Sequence, residues 1–152
     1  MTSITDRFSL KGQVAVVTGA GRGIGEGIAV DFAEAGAKVA LAARRTEEIE
    51  RVAARIRDLG GDAIAVTTDV MDPDQLGQLA KTTSEQLGSI TCWVNNAGGS
   101  PMRVPMTQLP RDEWLRTLHL NLTAVYDGCM VAARSEEHTS ELQSPCNLVC
   151  RL

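Results

Sequence analysis

The segment Thr18-Gly19-Ala20-Gly21-Arg22-Gly23-Ile24-Gly25 concentrates the most informative chemistry in the chain. Glycine lets the backbone turn tightly and lets another group come close to it. Where such a turn opens a helix, the first N–H groups lack intrahelical partners and the helix dipole adds positive charge. A pyrophosphate is the ligand such a place takes. Glycines also mark ordinary turns. Alternating glycines between an apolar run and a helical pattern favour the phosphate reading over that one. The spacing is not the GxxxxGK[ST] of a nucleoside-triphosphate loop. It also departs from GxGxxG, because Ile24 stands where the third glycine would fall after Gly19 and Gly21.

A second clue follows the apolar run Lys38–Ala42. An Asp or Glu about 20 residues past the glycines would bind the ribose 2′-hydroxyl of NAD. Here the position is Ala43, followed by Arg44 and Arg45, and Arg22 adds a further cation from the glycine turn. A guanidinium binds a 2′-phosphate through two parallel hydrogen bonds. This places NADP(H) ahead of NAD(H). The competing reading makes Arg44 and Arg45 a solvated helix entrance, with Glu47 and Glu48 as their partners.

Thr18, Gly19, Gly23 and Gly25 together spell TGxxxGxG, and here the chain resembles the short-chain dehydrogenase/reductase family. Three later segments carry the same resemblance. Asp69-Val70 stands where the family places an Asp that hydrogen-bonds adenine. Asn95-Asn96-Ala97-Gly98 matches its NNAG motif beside the cofactor. Asn121, in HLNLTAV, matches its helix-borne catalytic Asn. The likeness covers residues 11 to 133 and is nearest to the compact, FabG-like reductases and the hydroxysteroid or sugar-alcohol dehydrogenases. It implies hydride transfer between a nicotinamide cofactor and a small alcohol or ketone. It also implies a cofactor set of Gly19, Gly21, Arg22, Gly23, Ile24, Gly25, Arg44, Asp69, Val70, Asn96, Ala97 and Gly98, and a homo-oligomeric full-length protein.

The family's proton chemistry needs a Tyr, a Lys four residues on, and a Ser. The single tyrosine here is Tyr126, with Met130 four residues on, and no lysine follows Lys81. Tyr126 therefore reads as a packing or surface residue. Asn121 is the one family catalytic residue left, so the 152-residue chain is expected to be inactive. Two other readings compete with this one. One is a non-catalytic nucleotide-binding module. The other is a methyltransferase-like Rossmann enzyme, disfavoured because Ala43-Arg44-Arg45 offers no acid for ribose hydroxyls and NNAG has no role there.

These residues need a scaffold, and the periodicity supplies one. Gln13–Thr18, Lys38–Ala42, Ala63–Thr67 and Ile90–Val94 are short apolar runs that predict buried strands. Ile24–Ala35, Thr46–Leu59 and Pro73–Leu87 have helical spacing, ended by Gly36, Gly60-Gly61 and Gly88. Thr46 and Asp72 are the expected N-caps, with Pro73 in the first helical position. Arg111–Ala133 predicts one long helix with the stripe Trp114, Leu115, Leu118, Leu122, Val125, Cys129 and Ala132. Met102, Val104 and Met106, in the loop before it, suit either an apolar substrate wall or loop packing. The alternation predicts an α/β fold: the N-terminal half of a doubly wound (Rossmann) parallel sheet, strand order 3-2-1-4. Its fourth strand would be an open edge.

Residues 134–152 read differently. RSEEHTSELQS resembles the translation of a short-read sequencing-library adapter and PCNLVCRL fits its continuation, so the expected native domain is 1–133, with 134–152 expected to be a foreign, disordered tail. His138, Cys146 and Cys150 then have no claim as ligands or redox groups. The cysteines, Cys92 and Cys129 included, form no CxxC pair and read as free thiols. Lys and Arg number 15 against 19 Asp and Glu, a net charge of −4. That balance disfavours nucleic acid and polybasic membrane binding. The apolar runs fall well short of the ~20 residues of a bilayer span. No signal-peptide core opens the chain, so a cytoplasmic location is expected.

Overall fold

The computed structural model describes residues 7–100 and 102–137. Four strands, β1 (Val14–Thr18), β2 (Lys38–Ala43), β3 (Asp62–Thr67) and β4 (Cys92–Val94), form one parallel sheet in the order β3-β2-β1-β4. Helices α1 (Gly23–Glu34), α2 (Thr46–Asp58) and α3 (Pro73–Gln86) connect them. After β4 come a single 3-10 turn (Met106–Gln108), α4 (Arg111–Leu118), a π-helical turn (His119–Thr123) and α5 (Ala124–Glu137). The strand order and the βα alternation are those the sequence predicts.

Near-continuous apolar strands need cover on both faces, and they have it. Val17, Val39 and Leu41 point to one side, against Ala29 and Val30 of α1 and Ile49, Val52, Ala53 and Ile56 of α2. Val14, Val16, Ala40 and Ala42 point to the other, against Leu79 and Ala80 of α3, Leu87, Ile90 and the half-buried Val131 of α5. Each large side chain so buried contributes about 1.5–3 kcal/mol. The helix ends follow their signals. Asp72 caps α3 by accepting from Asp74 N at 3.0 Å, and Gly36, Gly60 and Gly88 leave helices at positive φ.

Three expectations need correction. Thr46 is not an N-cap. Arg45 takes that position without a side-chain cap, and the Thr46 hydroxyl instead meets Thr67 Oγ1 at 2.7 Å, tying α2 to the end of β3. The fourth strand starts at Cys92 rather than Ile90. The Val14 N–H goes to the Thr91 hydroxyl at 3.0 Å, while Thr91 N still donates to Val14 O at 2.9 Å, so the strand's regular pairing begins one residue later.

The long final helix is also different. It is interrupted by the π turn and continues past Ala133 to Glu137. Its inward face runs through Leu120, Ala124, Gly128 and Val131, while the predicted stripe is partly exposed, with Leu118, Val125, Cys129 and Ala132 half-buried. Trp114, Leu115 and Leu122 are exposed, Leu122 by 65%. The reason is close approach. At Gly128 a Cβ would collide with Asn95 Oδ1, so the face that packs is made of small residues with a weak apolar signal. Tyr126 is a surface residue, 62% exposed. His138, Cys146 and Cys150, with the rest of 138–152, lie outside the described residues.

Candidate cofactor site

All four strands end on the same edge of the sheet. The segments that leave them enclose a groove of about 370 Å³. The glycine turn enters from β1, Ala43-Arg44-Arg45 from β2, Thr68-Asp69-Val70 from β3 and Asn96-Ala97-Gly98 from β4, with Leu120 of the π turn closing one side. Every residue of the predicted cofactor set lines this groove except Gly23. Gly23 sits at φ +60° with open space where a Cβ would stand, so it serves the turn rather than the wall.

The other glycines are required by contact. A Cβ on Gly19 would stand 2.9 Å from Ala97 Cα. A Cβ on Gly25 would run into the Gly19 carbonyl. The turn therefore folds its two ends onto each other and onto the segment leaving β4. Thr18 joins these parts. Its buried hydroxyl donates to Val94 O at 3.1 Å and accepts from Asn96 N at 3.0 Å and Ala97 N at 3.1 Å. Asn96 Nδ2 returns the tie, donating to Thr18 O at 2.9 Å and Gly19 O at 3.3 Å. Asn95 turns the other way. Its Oδ1 accepts from Trp93 Nε1 at 2.9 Å, and its Nδ2 reaches Cys129 Sγ of α5 at 3.4 Å.

Asn121 lies outside the groove lining. Its Oδ1 accepts from Gly99 N at 2.9 Å, and its Nδ2 donates to Gly99 O and to Thr117 O, both at 2.8 Å. It thus holds the loop after NNAG against the π turn, a helix irregularity often found at functional sites. Asp69 lines the groove with one carboxylate oxygen engaged by Met71 N at 3.0 Å. Met102, Val104 and Met106 are exposed and do not line the groove. Among the described residues no three His, Cys, Asp or Glu side chains gather where a metal could bind. Burial pushes the Cys92 thiol above its usual range.

Charge is placed unevenly. Arg22 and Arg44 line the groove with no ion pair among the described residues. Arg45 does have a partner, Glu48, at 2.6 Å, while Glu47 takes no part. Behind the turn, Arg51 of α2 bonds Glu26 Oε1 and Oε2 at 3.0 and 2.9 Å and donates to Gly21 O at 3.1 Å. The Arg51 hydrogen bond, opposed by burial and helped by the Arg51 and Arg55 charges, holds the Glu26 carboxyl below its usual range. Neither Glu48 nor Arg51 is marked for the site by the sequence alone. Glu48 had a local signal, three residues after Arg45. Arg51 had none, since its partners Gly21 and Glu26 are on another helix and turn.

A glycine turn at a helix start, cations beyond it and an Asn-rich return segment, all on the carboxyl edge of a parallel sheet, define a nucleotide-binding Rossmann unit. The cradle fits a dinucleotide: the backbone is bare where phosphates approach, and two guanidiniums beside it make no ion pair among the described residues. The family model described as short chain dehydrogenase matches residues 13–140, and the chain belongs to that family. An uncharacterized oxidoreductase of Listeria innocua is 37% identical over 121 residues, covering 80% of this chain and 48% of that protein. A short-chain type dehydrogenase/reductase from Mycobacterium marinum superposes with a TM-score of 0.83 at 38% identity, over 88% of this chain and 54% of the other. A 7α-hydroxysteroid dehydrogenase, solved with NADH and 7-oxo glycochenodeoxycholic acid, gives 0.84 at 33% identity over 91% and 53%. The chain spans about half the length of the curated relatives it matches. Among the described residues no helix is long and apolar enough to cross a membrane.

Proposed function

We propose that this chain is the cofactor-binding part of an oxidoreductase that interconverts a small alcohol and a ketone, using NADP(H) in preference to NAD(H). The observation that carries the reading is the groove itself, with a bare glycine turn carrying Arg22 on one wall and Arg44 on another. The bound cofactor would supply the hydride chemistry. Gly19, Gly21 and Gly25 would let its pyrophosphate approach the start of α1, Asp69 would meet the adenine, and Arg44 and Arg22 would take the ribose 2′-phosphate. Asn96, Ala97 and Gly98 would border the nicotinamide half, and Asn121 would act on the reaction through the loop it holds.

Calorimetric titration of NADP(H) and NAD(H) tests the cofactor assignment. Loss of a charge-assisted contact costs roughly 1.5–3 kcal/mol, or about ten- to a hundredfold in affinity. Arg44→Ala is expected to weaken NADP(H) by that factor and to leave NAD(H) nearly unchanged. Tighter NAD(H) binding by the wild type, or an Arg44→Ala chain with undiminished NADP(H) affinity, would refute the preference.

Turnover is a separate matter. Groups that grip the non-reacting half of a cofactor do not by themselves lower a barrier. The lone Tyr126 is a surface residue followed by Met130, not Lys. The purified 152-residue chain, given either cofactor and a panel of alcohols and ketones, should show no absorbance change above a blank. Sustained turnover after removal of host reductases would mean that another group carries the proton.

A further inference from the structure

Glu48 is the one glutamate among the described residues that lines the groove. It stands on the first turn of α2, and its Oε1 accepts from Arg45 Nη1 at 2.6 Å. Its Cβ and Oε2 both lie 2.9 Å from the point a Gly21 Cβ would occupy, so the side chain is laid along the glycine turn. It is 31% exposed, against 65% for the arginine it holds. The Arg45 hydrogen bond keeps the carboxyl below its usual range, and the nearby charges of Arg22 and Arg51 add to this. At neutral pH an anion is therefore fixed inside a groove otherwise built to attract anions.

A carboxylate and a phosphate compete for the same guanidinium fork. Arg45 is the groove cation already taken by a carboxylate, while Arg22 and Arg44 have no ion pair among the described residues. An ordinary surface pair three residues apart on a helix would only add a few tenths of a kcal/mol of helix stability. This one sits where a cofactor's charge would be read. We propose that Glu48 is a specificity-determining residue: it withholds Arg45 from a ribose 2′-phosphate and so limits how strongly the groove prefers that phosphate to a 2′-hydroxyl. The proposal rests on the reading that the groove takes the adenosine end of a nicotinamide dinucleotide. It does not require that the wild type prefer NADP(H), because it concerns the direction in which Glu48 moves the preference.

The test uses two probes that differ in the 2′-phosphate, adenosine 2′,5′-bisphosphate and 5′-AMP. Each is titrated calorimetrically into the 152-residue chain carrying Glu48→Gln, Glu47→Gln, or Glu48→Gln with Arg45→Met, beside the wild type. Glu47 carries the same charge on the same turn but does not line the groove, so it reports the general effect of charge. Glu48→Gln should raise the affinity ratio of bisphosphate to monophosphate about tenfold, the scale of one charge-assisted contact. Glu47→Gln should move it less than about twofold, and removing Arg45 as well should cancel most of the gain. A thermal melt of each variant keeps lost affinity apart from lost folding. An unmoved ratio in Glu48→Gln, or an equal rise in Glu47→Gln, overturns the proposal. Selective loss of 5′-AMP binding in Glu48→Gln also overturns it, since Glu48 would then be a ribose-hydroxyl acceptor. A wild type that binds neither probe overturns the underlying reading of the groove, an outcome seen before any variant is compared.

Discussion

Replacing Gly25 with valine is expected to abolish dinucleotide binding and to lower the melting temperature by several degrees, on the order of 5 °C. Even the first added carbon has no room. It would fall inside the contact distance of the Gly19 carbonyl oxygen and 2.8 Å from the Gly19 carbonyl carbon. These are backbone atoms at the end of β1, so no rotamer change relieves the clash. Either the start of α1 moves away or the turn opens, and both take the helix N–H groups out of the positions that give the turn its anion affinity. Overpacking of a well-packed site costs about 1–3 kcal/mol and sometimes more. For a chain of 152 residues each kcal/mol is worth roughly 2–4 °C. Gly27 is the control. It lies on the same helix, and nothing stands within 4 Å of its would-be Cβ. Gly27→Ala should keep full cofactor affinity and gain up to about 1 kcal/mol from helix propensity. Titration with NADP(H) and a thermal melt of both variants check the contrast. A Gly25→Val chain that binds as the wild type does would mean that the two ends of the turn are not in contact.

The contrast between Gly25 and Gly27 also marks how far the residues could be read without coordinates. Sheet order and strand placement were legible because buried parallel strands are apolar throughout and their connections are punctuated by Gly36, Gly60 and Gly88. Ends fixed by a local signal, as at Asp72 and Pro73, came out as expected. Ends fixed by a distant partner did not. Thr46 has every local mark of a cap, but Thr67 competes for its hydroxyl from 21 residues away. The final helix misled for a related reason. Periodicity weighs large apolar residues, whereas the face that packs is chosen by what fits: Gly128 beside Asn95 and Ala124 in the cluster with Val70 and Leu76. The groove was legible as a set of types: glycines, cations and the Asn pair. Its internal wiring was not. Glu48 and Arg51 belong to the site through contacts with Gly21; the spacing of Glu48 from Arg45 announces that pair but not its place along the turn, and nothing near Arg51 in the sequence announces it.

Thr18→Val should destabilise the chain by roughly 2–4 kcal/mol and weaken cofactor binding with it, on the scale of a buried hydroxyl whose partners are left unpaired. Valine matches threonine in shape, so the packing around β1 need not change, and what is lost is the hydroxyl alone. That oxygen is 1% exposed as part of its residue and serves three main-chain groups. Val94 O loses its donor, while Asn96 N and Ala97 N lose their acceptor. Water has little access to replace it. The Asn96 side chain, which donates to Thr18 O and Gly19 O, becomes the main remaining tie between the glycine turn and the segment leaving β4. Since both of those segments wall the groove, stability and affinity should fall together. Thr18→Ser separates the hydroxyl from the methyl. It keeps all three hydrogen bonds and gives up one buried methyl group, at about 1 kcal/mol. The expected order of denaturant midpoints is therefore wild type, then serine, then valine, with NADP(H) affinity in the same order. Were the valine variant the more stable of the two, the methyl rather than the hydroxyl would be holding the ends of β1 and β4 together, and the three hydrogen bonds would be incidental to the site.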